Sequence, residues 1–343
     1  MNRVRTFAMA LGAISVLATP ALAEDVLHIY NWTGYTSQPM LDKFTAETGI
    51  KVSLDTFDTN ETLLAKLRSG SSGYDITISS TDFLSILISE KLVQKVDIAS
   101  LPNYKNVDPQ FTTAAWDKGN AYSVPWHWGI SSYQVDAAVY PGPTDSLSVL
   151  FDPPQELVGK VGMMSSPTEV IALALRYLGK DMCTDDVDSL RAVDALLQKQ
   201  KPSVKIYDSA GMADRQISGE TAITHVANGE ALRARLQRKS LKFAFAKEGG
   251  VAWVDSVVVP SSAARPDLAL KFINFMLDPA NAAIEQKDIG YPTGVVGTSS
   301  LLPPEIGTAP ELAPPSDYKT YVNPTCSAET FKKYDLIWNK LRQ

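Results

Sequence analysis

Apolar and polar positions alternate along the chain with two periods, one of strands and one of helices, from Val26 onward. Leu27-His-Ile-Tyr-Asn reads as a short apolar strand over 27–31. An amphipathic helix near 37–48, a strand over 50–55, a helix over 60–69 and a strand over 75–79 follow. Asn60 is the predicted N-cap of the 60–69 helix and Gly70 its stop signal. Strand and helix alternating at this spacing imply βαβ units and a mainly parallel sheet, an α/β fold. Ser79-Ser80-Thr81-Asp82 reads as a polar turn at a strand end, capping a helix that begins near Phe83.

Tyr122 to Tyr133 forms an extended run containing Pro125, the expected first crossing between two domains. A second α/β region is expected from about 132 to 250, with helices over 169–178 and 187–199. Gly249-Gly250 precedes a β-branched strand, Val251 to Val259, read as the return crossing. A helix over 266–277 is expected to end at Pro279. The Pro-rich stretch 303–317 reads as a surface connector, and 328–341 as a last amphipathic helix.

The N-terminus changes the picture. Arg3 and Arg5, the apolar run Phe7 to Leu17 and Ala21-Leu22-Ala23 have the layout of a secretory signal over 1–23, too short to span a bilayer. Cleavage after Ala23 would remove two arginines and move the formal charge from −6 to −8. An acidic exported protein repels nucleic acid and anionic membrane and mildly favours cationic solutes. In an oxidising compartment Cys183 and Cys326 can close a loop of about 144 residues as a disulfide, and two unpaired thiols are the other reading.

Little in the chain suggests catalysis. His28, His127 and His225 are scattered without metal-ligand spacing, and no phosphate loop, nucleophile elbow or Cys–His arrangement occurs. Gly70-Ser-Ser-Gly reads as a helix end and turn. Basic residues form no aromatic-interleaved stripe for nucleic acid. What remains is Trp32 and Tyr35 at the C-terminal end of the first strand, where α/β sheets bind ligands. Trp253 and Asp255 share a strand face by two-residue alternation. An exported α/β protein with rings at a sheet edge is expected to capture a solute. No cofactor or metal is expected.

Tyr30-Asn-Trp-Thr33, Glu47-Thr-Gly-Ile-Lys-Val52, Asn60-Glu61, Lys247-Glu-Gly-Gly250, Trp253-Val-Asp-Ser256 and Ile289-Gly-Tyr-Pro-Thr293 resemble the periplasmic spermidine/putrescine-binding proteins of ABC transporters over essentially the whole mature chain. The resemblance implies a two-lobed periplasmic-binding-protein fold (type II). Lobe one would span about 24–130 plus 254–300, and lobe two 131–253 plus 301–343, with the ligand in the cleft between them. It further implies a non-enzymatic, monomeric receptor serving an inner-membrane ABC permease. Trp32, Tyr35, Trp253 and Tyr291 match ring positions, Ser80 a polar position, and Glu169 and Asp255 carboxylates. Rings would cover the ligand's methylenes while acids meet its ammonium groups.

Four positions depart from the pattern. Gly34 stands where the relatives place an acid, Asp82 where Tyr or Ser is frequent, Ser166 where Asp occurs and Ala227 where Trp is expected. The reduced set fits a small amine such as putrescine or spermidine. It also fits a zwitterionic ω-amino acid such as γ-aminobutyrate, whose carboxylate would be anchored by Arg233 or Arg215. Two other classes stay open: an exported hydrolase using Glu169 and Asp255 as an acid/base pair, and a signalling or adhesion module that keeps the fold. Trp126, His127 and Trp128 are read as hinge or core packing.

Overall fold

The computed structural model describes residues 25–70 and 73–343. The expected secretory signal over 1–23 and Ser71-Ser72 of the expected Gly70–Gly73 turn lie outside the described residues.

The N-terminal part alternates as its periodicity requires. Strands β1 (Val26–Trp32), β2 (Lys51–Phe57) and β3 (Ile76–Ser80) are separated by helices α1 (Gln38–Thr48) and α2 (Asn60–Arg68). Both helices begin at a hydroxyl cap: Ser37 Oγ accepts from Met40 N, and Thr59 Oγ1 from Thr62 N. The cap of α2 is therefore Thr59, one residue before the predicted Asn60, which is already helical and accepts instead from Ser80 N at 3.4 Å. Helix α3 (Thr81–Ser89) starts directly after β3, so Thr81 and Asp82 belong to its first turn rather than to a preceding loop.

After the short helix α4 (Pro109–Thr112) comes β4 (Ser123–Asp136), a strand of 14 residues. The following region holds α5 (Ser148–Phe151), β5 (Val161–Met163), α6 (Pro167–Tyr177), α7 (Val187–Gln200) and β6 (Val204–Tyr207). It continues through α8 (Met212–Ser218), β7 (Ile223–Ala227), α9 (Asn228–Gln237) and β8 (Leu241–Ala244). The second long strand, β9 (Gly250–Val258), then leads into α10 (Pro266–Met276).

Pro279, read from sequence as a terminator, instead opens a further helix, α11 (Pro279–Ile289). Asp278 caps it through Ala280 N, and proline is well suited to a first helical position because its missing N–H is not needed there. The chain finishes with α12 (Pro304–Gly307), β10 (Thr320–Val322) and α13 (Ala328–Arg342). The 303–317 stretch is not a plain surface connector: Ile306, Ala309 and Glu311 are buried against α9, and Arg235 pairs with Glu311.

Among the described residues the strands run in the order β2-β1-β3-β9-β4-β7-β5-β6, with β10 beside β9 and β8 beside β4. Pairs β1/β2, β1/β3, β5/β6 and β5/β7 are parallel; β9 meets β3 and β4 antiparallel, and β4 meets β7 antiparallel. Each half of the order is thus a parallel βα set, and the two long strands lie between them. β9 carries this change of partner along its length: Asp255 to Val258 pair with β3, and Gly250 to Ala252 with β10. Cys183 and Cys326 are joined as a disulfide across 143 residues of chain.

Candidate functional site

A cavity of about 240 Å³ opens where β1 and β3 end beside the middle of β9, against the starts of α3, α6 and α9. Local sequence explains how each wall is presented. After β1 the chain turns sharply because Asn31 Nδ2 donates to Tyr35 O (3.2 Å) and Thr36 Oγ1 (2.6 Å). That turn places Trp32 and Tyr35 on the cavity. On β9, alternation puts Trp253 and Asp255 on the same face, and both line the cavity.

Three rings form a cluster. Tyr35 and Tyr291 lie 5.3 Å apart between centroids, Trp253 and Tyr291 also 5.3 Å, and Tyr35 and Trp253 6.4 Å. Trp32 stands apart, 4.6 Å from Phe57, with its indole Nε1 buried and without a hydrogen-bond partner. Behind Tyr35, His127 meets the ring edge-on at 4.6 Å, and its Nε2 is 3.4 Å from Glu285 Oε1. Burial, with Arg233 adding to it, lowers the imidazole to about 3, and burial raises Glu285 to about 8. His127 and Trp126 are core residues, as read from sequence, and neither they nor Trp128 line the cavity.

The acids come from three elements. Ser80 occupies the N-cap position of α3, yet its hydroxyl does not cap the helix; it donates to Asp255 Oδ1 at 2.5 Å. Asp82, in the first turn of α3, is 7% exposed, and Asp255 is 6% exposed. Glu169 sits in the first turn of α6, whose cap is Ser166 Oγ, and its Oε2 is buried without a hydrogen-bond partner. Burial is the main force on all three. It pushes Asp255 up to about 6, against the hydroxyls of Ser80 and Tyr35, which pull it back. Glu169 is pushed to about 7, by burial and the nearby Asp255 against the hydroxyl of Ser131. Asp82 is raised well above the carboxylate range by burial and then by Glu169 and Asp255. The three carboxyls therefore repel one another in a site that removes them from water.

All eight sequence-selected side chains, Trp32, Tyr35, Ser80, Asp82, Glu169, Trp253, Asp255 and Tyr291, are brought to this one cavity, as is Arg233. Arg215 is not: its guanidinium engages Asp208 and the carbonyl of Ala210, which turns it along α8 instead of into the cavity. The four departing positions, Gly34, Asp82, Ser166 and Ala227, all line the cavity. Sequence reading missed Asp58, Glu230 and Asn323, which line it too. Asp58 follows β2 directly, so the sheet-edge rule that selected Trp32 also applied to it.

The model for bacterial extracellular solute-binding proteins matches residues 39–314. The chain belongs to that family. Among relatives of this solute-binding protein, the spermidine/putrescine-binding periplasmic protein of Escherichia coli (strain K12) is 35% identical over 313 residues, covering 90% of this chain and 89% of the relative. A putrescine-binding periplasmic protein of Pseudomonas aeruginosa (strain UCBPP-PA14) is 32% identical, over 100% of this chain and 99% of its own length. The crystal structure of a spermidine/putrescine ABC transporter substrate-binding protein from Streptococcus pneumoniae resembles the fold with a TM-score of 0.79 at 28% identity, covering 93% of this chain and 98% of that one. The fold of this solute-binding protein is thus the two-lobed α/β architecture of periplasmic binding proteins. No helix among the described residues is long and apolar enough to cross a membrane.

Proposed function

We propose that this chain is the periplasmic receptor of an ABC importer and captures a small amine, such as putrescine or spermidine, in the cavity between its two lobes. The observation that carries the reading is the acid cluster. Asp82 and Asp255 are buried, Glu169 is half-buried beside them with its Oε2 shut off from solvent, and none of the three forms an ion pair among the described residues. A buried carboxylate without a counter-ion is costly, and a bound ammonium supplies the missing charge. Tyr35, Trp253 and Tyr291 offer apolar faces for methylenes and π faces for the cation, a contact worth about 0.5–2 kcal/mol. The ligands named for the relatives agree with this chemistry.

The lobes would comprise about 24–130 plus 254–300 and 131–253 plus 301–343, with β4 and β9 as the crossing strands. Asp82 and Ser80 would then belong to one lobe and Glu169 to the other. An ammonium held by both sides favours the closed arrangement, because those contacts exist together only when the lobes meet. The closed receptor would deliver its amine to an inner-membrane permease as a monomer, without chemical change. Calorimetric titration of the chain lacking residues 1–23 with putrescine and spermidine tests the reading. One-site binding is expected. Absence of heat with both amines, or conversion of a bound amine detected by mass spectrometry, overturns it.

A further inference from the structure

Charge is divided unevenly along the cavity. Asp82, Glu169 and Asp255 act on one another at one end, and Glu61 of α2 adds its field to Asp82. Beyond the ring of Tyr291, which feels both groups, the wall is built by Glu230 and Arg233 of α9. Arg233 is the one cationic side chain among the described residues that line the cavity.

Glu230 holds that guanidinium in place. Its Oε1 accepts from Ala213 N at 3.3 Å, tying it to α8, and its Oε2 accepts from Arg233 Nη2. Arg233 makes no other hydrogen bond among the described residues and stays 31% exposed, so most of its N–H donors are left for solvent or ligand. The surroundings favour negative charge further. Ala227, the residue before α9, lines the cavity and provides no side-chain cap, so the first turn of that helix borders the cleft over a small side chain. A second ammonium placed here would meet a like charge. A carboxylate would meet a planar fork of donors suited to it.

We propose that the Arg233 end of the cleft is a carboxylate subsite, so that the receptor takes ω-amino acids as well as simple amines. The ammonium of such a ligand lies among Asp82, Glu169 and Asp255, its carboxylate meets Arg233, and a short methylene chain runs past Tyr291 and Trp253. This inference rests on the amine-receptor reading and adds a ligand class to it.

The test is a calorimetric comparison of three four-carbon ligands: 4-aminobutyrate, n-butylamine and putrescine. 4-Aminobutyrate is expected to bind at least about tenfold tighter than n-butylamine, the gain of a charge-assisted hydrogen bond. Arg233→Gln removes that advantage and tightens putrescine, because Glu230 is freed to meet a second ammonium. Arg233→Lys, which keeps the charge without the fork, falls between. Melting curves of both variants verify that they are folded. The inference is overturned if 4-aminobutyrate binds no tighter than n-butylamine, or if Arg233→Gln leaves the ratio of putrescine to 4-aminobutyrate affinity unchanged. Binding of putrescine without 4-aminobutyrate removes the carboxylate subsite alone; silence from all three ligands removes the amine receptor itself.

Discussion

Ser80 donates its hydroxyl to Asp255 Oδ1 across 2.5 Å, and in doing so leaves α3 without a side-chain cap. The two residues are register partners on β3 and β9. A serine at a helix start ordinarily accepts from the helix's own N–H groups, worth about 1 kcal/mol. Here that stabilisation is given up to hold a buried carboxylate in one orientation at the cavity wall, so local helix stability is traded for a prepared site.

Asp255→Asn tests what the carboxylate does. Its Oδ1 can still accept from Ser80, so the fold is retained while the charge is lost. Amine affinity is expected to fall at least about tenfold, as for loss of a charged hydrogen bond. The ligand-free variant is expected to melt higher than the parent near pH 7, since a buried unpaired charge has been removed. Calorimetry and a melting curve read the two effects; an unchanged dissociation constant removes Asp255 from the site.

The acids also fix a pH dependence. In the folded chain Asp255 titrates at about 6 and Glu169 at about 7, above ordinary values of 3.8 and 4.5. The ligand-free protein therefore binds more protons than the unfolded chain between roughly pH 4 and 7, and these groups lower its stability as pH rises through that window. A bound ammonium favours the ionised acids, so affinity rises over the same interval and binding near pH 6 releases protons. Titration in buffers of different ionisation heat is expected to give buffer-dependent enthalpies; identical enthalpies would argue against coupled deprotonation.

The βα alternation and the sheet-edge side chains were legible because both follow from local periodicity. Trp253 and Asp255 could be paired by two-residue alternation, and Trp32 and Tyr35 by their place after a strand. What escaped depends on which of several available partners each side chain engages once the chain is folded. Arg215 and Arg233 look alike as helical arginines, and only Asp208 in one case and Glu230 in the other decide which reaches the cavity. Pro279 carries the signal of both a stop and a start, and Asp278 as a cap makes it a start. Thr59 displaced Asn60 as a cap because Asn60 is engaged by the end of β3.

Two glycines make room for the cleft rings. A Cβ on Gly229 would lie 2.2 Å from Tyr291 Cδ1, and one on Gly129 would lie 2.5 Å from Trp253 Cζ2. Gly229→Ala and Gly129→Ala are each expected to cost about 1–3 kcal/mol of stability through overpacking. They should also weaken amine binding, because the rings that must move are cavity walls. Melting temperature and dissociation constant together check this, and unaltered affinity in both variants would show that the rings have no role in binding.

The Cys183–Cys326 bridge closes a long loop that links the start of α7 to the start of α13. Replacing both residues by Ser is expected to destabilise the protein by about 2–5 kcal/mol. Amine affinity should hold, since neither cysteine lines the cavity. Denaturant melts with and without reductant measure the loss, and a midpoint that ignores reductant would contradict a structural role.

A crystal structure of the chain grown with putrescine tests the central claim most directly. The expected result is an ammonium nitrogen about 2.7–3.2 Å from carboxylate oxygens of Asp255 and Glu169, with methylenes against Trp253 and Tyr291. Ligand density away from these acids, or an anion or sugar in their midst, would contradict it.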